Sequence, residues 1–170
     1  MNKVFMLFVL MTTSLFSKGL IEDTKFRKIG KEWRFKKAPE YDYIKKPKVK
    51  SGTFSVKTIQ TSEAHLLSLS TPVKFEAKKK YTLSFEMKAE GEGKIIVQTR
   101  RPLDPKNKSR KLIVGLNKAP ELSGEWKKHE YTFEVIEDLS KKDHVALGFF
   151  FGVFQGEVAL KKVSLVEVKE

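Results

Sequence analysis

The sequence predicts an all-β fold, an antiparallel β-sandwich of the jelly-roll kind, and three observations carry that expectation. Lys80–Lys88 reads K-Y-T-L-S-F-E-M-K, a strict alternation of large apolar with small or charged residues. That period of two marks a strand with one buried face and one wet face. The same period returns in His129–Val135 and Val145–Phe151. No segment after Ser17 carries a helical period, and turn signals divide the chain into about eight to ten short strands, as in a sandwich or jelly roll.

Taken in order, Met1-Asn2-Lys3 is a short basic start, Val4 to Met11 an unbroken apolar run, and Thr12 to Ser17 a small and polar end. This three-part layout is that of a secretory signal peptide spanning residues 1–17. The apolar run is much shorter than the ~20 residues of a membrane-spanning helix. No lipid-attachment cysteine follows it. Residues 18–170 are then expected to form a single domain, secreted or periplasmic. Gly19–Phe35 opens with Leu20-Ile21 and closes on Trp33 and Phe35. Lys36–Lys50 reads as a linker or long loop, broken by Pro39 and Pro47. Strands are predicted at Thr53–Gln60 and His65–Pro72, the latter with Leu67 and Leu69 inward. Lys78-Lys79-Lys80 is a charged turn into the alternating strand at Lys80–Lys88. Glu90-Gly91-Glu92-Gly93 reads as a hairpin turn into a strand at Lys94–Arg100. A long basic loop is predicted to run to Lys118. His129–Val135, Val145–Phe151, Glu157–Leu160 and Val163–Val168 complete the set, and Glu137–Asp143 has room for one helical turn at most.

The chain has 170 residues, a formal charge of +13 and no cysteine. Disulfides and thiolate chemistry are excluded, so stability must come from core burial, for which a single domain of this size suffices. The basic surface favours polyanions, among them acidic polysaccharide, lipopolysaccharide, anionic lipid and nucleic acid. A lysine-rich surface also keeps an exported protein soluble.

The strands occur in a recognisable order. Leu20-Ile21 with Phe26 and Trp33 comes first, then Phe54-Ser55-Val56 and Leu69-Ser70-Thr71-Pro72-Val73. Tyr81-Thr82-Leu83-Ser84-Phe85, Gly124-Glu125-Trp126-Lys127-Lys128, Tyr131-Thr132-Phe133, Leu147 to Gly152 and Val163-Ser164-Leu165 follow. This collinear set resembles the carbohydrate-binding modules of families four and nine, which are galactose-binding-like jelly rolls, over nearly the whole of residues 18–170. The resemblance implies a non-catalytic sandwich that binds glycans beside an enzyme. It also implies that Trp33 and Trp126 pack or cap the core. Two departures stand out. The family commonly has an aspartate before the last strand that serves a structural calcium, and here Lys161 takes that place. An ammonium has no lone pair to give a cation, so no cofactor is expected, although Glu22 or Asp23 could offer one oxygen. Nor does the sequence carry an enzyme, so any hydrolase is expected to be a separate protein.

A catalytic constellation is not expected. His65, His129 and His144 are too dispersed for a metal site, and His129 falls on the inward side of its strand as a hydrogen-bonded structural histidine. No Gly-x-Ser-x-Gly elbow is present, and Gly91-Glu92-Gly93-Lys94 lacks phosphate-loop spacing. Glu86 with Glu130 or Glu134 is the one conceivable carboxylate pair for glycoside hydrolysis.

Binding residues are more readily proposed, because sugar rings stack on aromatic side chains and are fixed by amide, carboxylate and guanidinium groups. Alternation turns Ser84, Glu86 and Lys88 to the wet side. With Ile95, Val97 and Thr99 inward, Gln98 and Arg100 are expected to share that face. With Val145, Leu147, Phe149 and Phe151 inward, Phe150 joins them. Tyr41 and Tyr43 between prolines, and Phe154 in the Gly152–Gly156 turn, are the loop aromatics. Arg100–Lys118 holds seven basic residues and one acid, Asp104, which suits carboxylate or sulfate groups. The expected partner is a poly- or oligosaccharide, and the basic loop favours an anionic one. The second reading is an envelope protein that grips another protein with the same face. Nucleic acid ranks lower, because no strand pair clusters the aromatics that base stacking uses.

Overall fold

The computed structural model describes residues 19–101, 112–137, 139 and 144–169. The leader at 1–17, most of the basic loop and the turn at Glu137–Asp143 fall wholly or largely outside the described residues. Among the described residues, ten strands form two five-stranded sheets. They are β1 (Arg34–Lys37), β2 (Lys48–Lys50), β3 (Thr53–Thr58), β4 (Leu67–Val73), β5 (Lys79–Gly93), β6 (Ile96–Arg100), β7 (Ile113–Lys118), β8 (Lys127–Val135), β9 (Val145–Phe150) and β10 (Phe154–Glu167). The first sheet has the order β1-β4-β9-β6-β7 and the second β2-β3-β10-β5-β8. All the strand pairings are antiparallel. The all-β sandwich expected from the alternation is the fold observed.

The period-two segments bury the residues they predict. Tyr81, Leu83, Phe85 and Met87 of β5 are buried, as are Val145, Leu147 and Phe149 of β9 with Phe151 just beyond it, and Ile95, Val97 and Thr99 in and before β6. The sheets meet through aromatic rings: Phe85 of the second sheet stands edge-on to Phe149 of the first, with ring centres 5.2 Å apart. Phe26, Trp33 and Phe54 extend this cluster. Each fully buried phenylalanine contributes about 1.5–3 kcal/mol of hydrophobic stabilisation. Residues 19–33 close one end of the core. There Leu20 N–H donates to Leu165 O at 2.8 Å, and the Trp33 indole N–H donates to Asp23 O at 2.7 Å.

Several elements differ from expectation. Lys36–Lys50 is not a plain linker: it contains the end of β1, a single 3-10 turn at Pro39–Tyr41, and β2. β7 lies inside the segment read as a basic loop; only Val114 and Leu116 are buried in it, too short an apolar signal beside so many cations. Glu90–Gly93 is not a hairpin turn. β5 runs through it, paired with β10 as far as Gly93 opposite Phe154, before the chain crosses to the other sheet. The glycines permit close approach instead: a Cβ on Gly91 would lie 2.0 Å from Gln155 O, and one on Gly156 would lie 2.1 Å from Glu90 O. Glu157–Leu160 and Val163–Val168 are one strand with a bulge between Lys161 and Ser164. Lys162 sits there at a φ of 54°. The extra residue shifts the side-chain parity, so Val158 and Leu160 before it and Val163 and Leu165 after it are all buried.

Candidate glycan-binding groove

The register of the first sheet brings three rows of outward side chains together. One is Ser68, Phe150 and Ile96; the next is Ser70, Gly148, Gln98 and Asn117; the third is Pro72, Ala146, Arg100 and Ile113. The centre of this face is Gly148, and its missing side chain leaves a seat for its neighbour. A Cβ built there would lie 2.6 Å from Cζ of Phe150, and its three nearest atoms all belong to the Phe150 ring. The ring therefore lies back along its own strand, over the glycine. The Arg100 guanidinium stands 5.5 Å from the centre of that ring, within cation–π range. Gln98 Nε2 donates to Asn117 Oδ1 at 2.8 Å, which leaves the Gln98 carbonyl and the Asn117 amide hydrogens for a ligand.

Ile96, Gln98, Arg100 and Phe150 line a groove of about 470 Å³, walled by Ala64 and His65 on one side and by Leu112 and Ile113 on the other. Arg100 has no acidic partner among the described residues. The edge of the groove is held by an irregular β6–β7 pairing, in which the register slips between Gln98 and Arg100. Buried Thr99 fills the slip: its hydroxyl donates to Val114 O and accepts from Leu116 N–H. That stitch fixes Asn117 opposite Gln98.

Glu86 and Lys88 are not on this face. β5 belongs to the second sheet and β6 and β9 to the first, so their outward residues look in opposite directions. The expectation that Glu86, Lys88, Gln98 and Arg100 share a face is corrected: alternation gives the side of a strand's own sheet, never which sheet it joins. Glu86 is occupied by two lysines that the β10 bulge leaves facing outward together, Lys162 at 2.6 Å and Lys161 at 3.1 Å. Hydrogen bonds from Lys162 and then Lys161 hold its carboxyl below the usual glutamate range. That is the reverse of what a general acid for glycoside hydrolysis requires. Lys88 pairs with Glu90 at 2.6 Å, a hydrogen bond that raises its pKa. Glu130 pairs with Lys128 at 2.9 Å.

The aromatic candidates divide. Phe154 is fully buried as the first residue of β10, so its expectation as an exposed loop aromatic is corrected; the flanking glycines that suggested a turn serve the β5–β10 approach. Tyr41 is half-buried against the core, its ring centre 6.4 Å from that of Tyr43, which is 68% exposed. Neither tyrosine lines the groove. Trp33 is buried, but Trp126 is 41% exposed on the second sheet's side, where the Lys161 ammonium lies 3.8 Å from its ring centre. The expected core-capping role of Trp126 is thus corrected. His129 is buried and stacked on Phe85 at 5.1 Å. Its Nε2, expected to be hydrogen-bonded, has no hydrogen-bond partner among the described residues, and burial lowers its pKa. His65, which lines the groove, was missed, as were Asn117 and Gly148, which hold Gln98 and seat the Phe150 ring. The outward series Ala146, Gly148, Phe150, small then absent then aromatic, is the signal that would have marked the ring's seat.

The donor set for a structural cation is poor. Asp23 Oδ1 accepts from Lys25 N–H at 3.3 Å and Oδ2 from Lys28 N–H at 2.7 Å. The Lys161 ammonium points to Glu86 and Trp126. These residues do not fit a calcium ion.

A β-sandwich with an amide, guanidinium and aromatic groove across one sheet defines a ligand-binding domain. Comparison with known proteins places it more closely: the family model for the carbohydrate binding domain of families four and nine matches residues 17–150, and the chain belongs to that family. The family supports a glycan-binding function. A solved structure described as "CBM4 structure and function" superposes with a TM-score of 0.72 at 17% identity, covering 87% of this chain and 99% of that one. The second N-terminal cellulose-binding domain of Cellulomonas fimi β-1,4-glucanase C gives 0.67 at 17% identity, with 91% and 97% covered. The first such domain gives 0.63 at 18% identity, with 88% and 97% covered. At these identities the likeness is one of fold. No curated protein matches the chain. Among the described residues no helix is long and apolar enough to cross a membrane.

Proposed function

We propose that the chain is an exported, non-catalytic glycan-binding module that takes an oligo- or polysaccharide along the first-sheet groove, with a preference for carboxylate-bearing sugars. The observation that carries the reading is the Phe150 ring laid over Gly148, beside the Gln98–Asn117 amide pair and an Arg100 without an acidic partner. A flat ring offers a stacking surface to a pyranose, the amides match vicinal hydroxyls, and a guanidinium fork matches a carboxylate. Export rests on the leader-like residues 1–17. The family's usual work beside an enzyme makes a separate hydrolase or lyase the natural companion.

The test is a glycan array probed with residues 18–170, followed by titration of the best ligand against Phe150→Ala and Arg100→Glu. Binding in the micromolar range or weaker is expected. Phe150→Ala should lose affinity for every ligand and Arg100→Glu chiefly for acidic ones. Retained affinity in both variants, or an array on which no neutral or acidic glycan binds, would overturn the proposal.

A further inference from the structure

We infer that the outer face of the second sheet carries a separate site, a lysine-walled groove that takes a carboxylate-bearing polysaccharide. Its axis is a single cross-strand row in which Lys48 of β2 opposes Ser55 of β3, Ser55 opposes Ala159 of β10, and Ala159 opposes Lys88 of β5. Two lysines thus stand at the ends of a floor made of a hydroxymethyl and a methyl group. Three interstrand steps of ~4.8 Å put their backbones about 14 Å apart. The groove above this row has a volume of about 500 Å³, and Lys45 and Lys46 add to its β2 wall.

The charges are arranged unequally. Lys88 is paired with Glu90 and Lys57 with Glu157, at 2.6 and 4.0 Å. Lys45, Lys46 and Lys48 are exposed and have no acidic partner among the described residues, so the wall they form carries uncompensated positive charge. A polyuronate answers both halves of this pattern. Its carboxylates meet the three free lysines, and its hydroxyls donate to Glu90 and Glu157. A phosphate-only chain would meet the same lysines but has no hydroxyl to donate to those glutamates. Among the described residues the groove lining contains no aromatic side chain, so nucleic acid bases have no stacking platform there. A lipid surface is planar and does not enter a groove.

This site does not depend on the first-sheet groove, and the experiment separates the two. Polygalacturonate is titrated calorimetrically against the wild-type domain, Phe150→Ala, and a triple variant combining Lys45→Glu, Lys46→Glu and Lys48→Glu. Because the three lysines hold no ion pair, the triple variant should melt as the wild type does. Its affinity for polygalacturonate should fall on the order of tenfold or more, while Phe150→Ala keeps a component that weakens as salt is raised. The inference is overturned if the triple variant binds polygalacturonate as the wild type does. It is equally lost if the wild type binds a neutral glycan but no polygalacturonate, a result that leaves the first-sheet groove standing as a glycan site while removing its preference for carboxylate-bearing sugars. Tighter binding of single-stranded DNA or anionic vesicles through the same lysines would overturn the assigned ligand.

Discussion

Replacing Gly148 with alanine should separate affinity from stability in this domain. An added methyl would sit 2.6 Å from Phe150 Cζ and 2.7 Å from its Cε2, against a normal carbon–carbon contact of about 3.5–4.0 Å. The ring must retreat by roughly 1 Å, and it is free to do so because the obstructing atoms are a side chain on an outer face. An aromatic stack contributes about 0.5–1.5 kcal/mol, so tilting the ring out of its seat should raise the dissociation constant for the array-selected oligosaccharide about 2- to 12-fold. Stability should hold, since the loss of backbone freedom in the unfolded chain gives back about 0.4–1 kcal/mol. Titration calorimetry beside thermal melting reads both quantities, and Phe150→Ala supplies the limit of a ring removed altogether. If Gly148→Ala binds as tightly as the wild type while Phe150→Ala does not, the ring's placement over the glycine is irrelevant and the reasoning fails.

Gly91→Ala should destabilise by more than about 2 kcal/mol in urea unfolding, because its Cβ would meet the Gln155 carbonyl of a paired strand at 2.0 Å. Gly124→Ala, whose nearest neighbour is Glu90 Cγ at 3.4 Å, is the tolerated control. Glu86→Gln should be less stable than the wild type at neutral pH. The folded pKa lies below the ordinary 4.5, so this advantage is present above 4.5 and fades as pH falls through the folded value; unfolding curves that never converge in acid would contradict it. His129→Phe should flatten another slope. Burial lowers the His129 pKa from 6.5, so the unfolded chain takes up the proton first and the wild type loses stability as pH drops below 6.5. A variant with the wild-type slope would place the effect elsewhere.

Much of the sandwich was legible because alternation is a local property. Tyr81 to Met87 and Val145 to Phe151 each declare their buried side without reference to any partner strand. Even the β10 bulge leaves a trace, as a break in apolar parity between Leu160 and Val163. What the pattern lacks is pairing. Glu86 and Arg100 both point away from the core, and only the crossover after Gly93 puts them on opposite sides of the molecule. The same limit hid Asn117, which reaches Gln98 only through the slipped β6–β7 register. Parity alone grouped Gln98, Arg100 and Phe150 with Glu86, and the first three stay together because β6 and β9 are neighbours. Phe154 misled for a different reason: glycines that serve backbone contact between two strands look, in sequence, like glycines that serve a turn.

The three-residue strand β2 ends the second sheet, and an open sheet edge invites another chain to add its own strand. Lys48 and Lys50 stand on that edge, both exposed. Two ammonium groups on so short a ladder make edge-to-edge association between copies unfavourable, which protects a disulfide-free domain from aggregating at high local concentration. The charge on one short strand thus guards this sheet edge, and neutralising Lys48 and Lys50 is expected to favour edge-to-edge association.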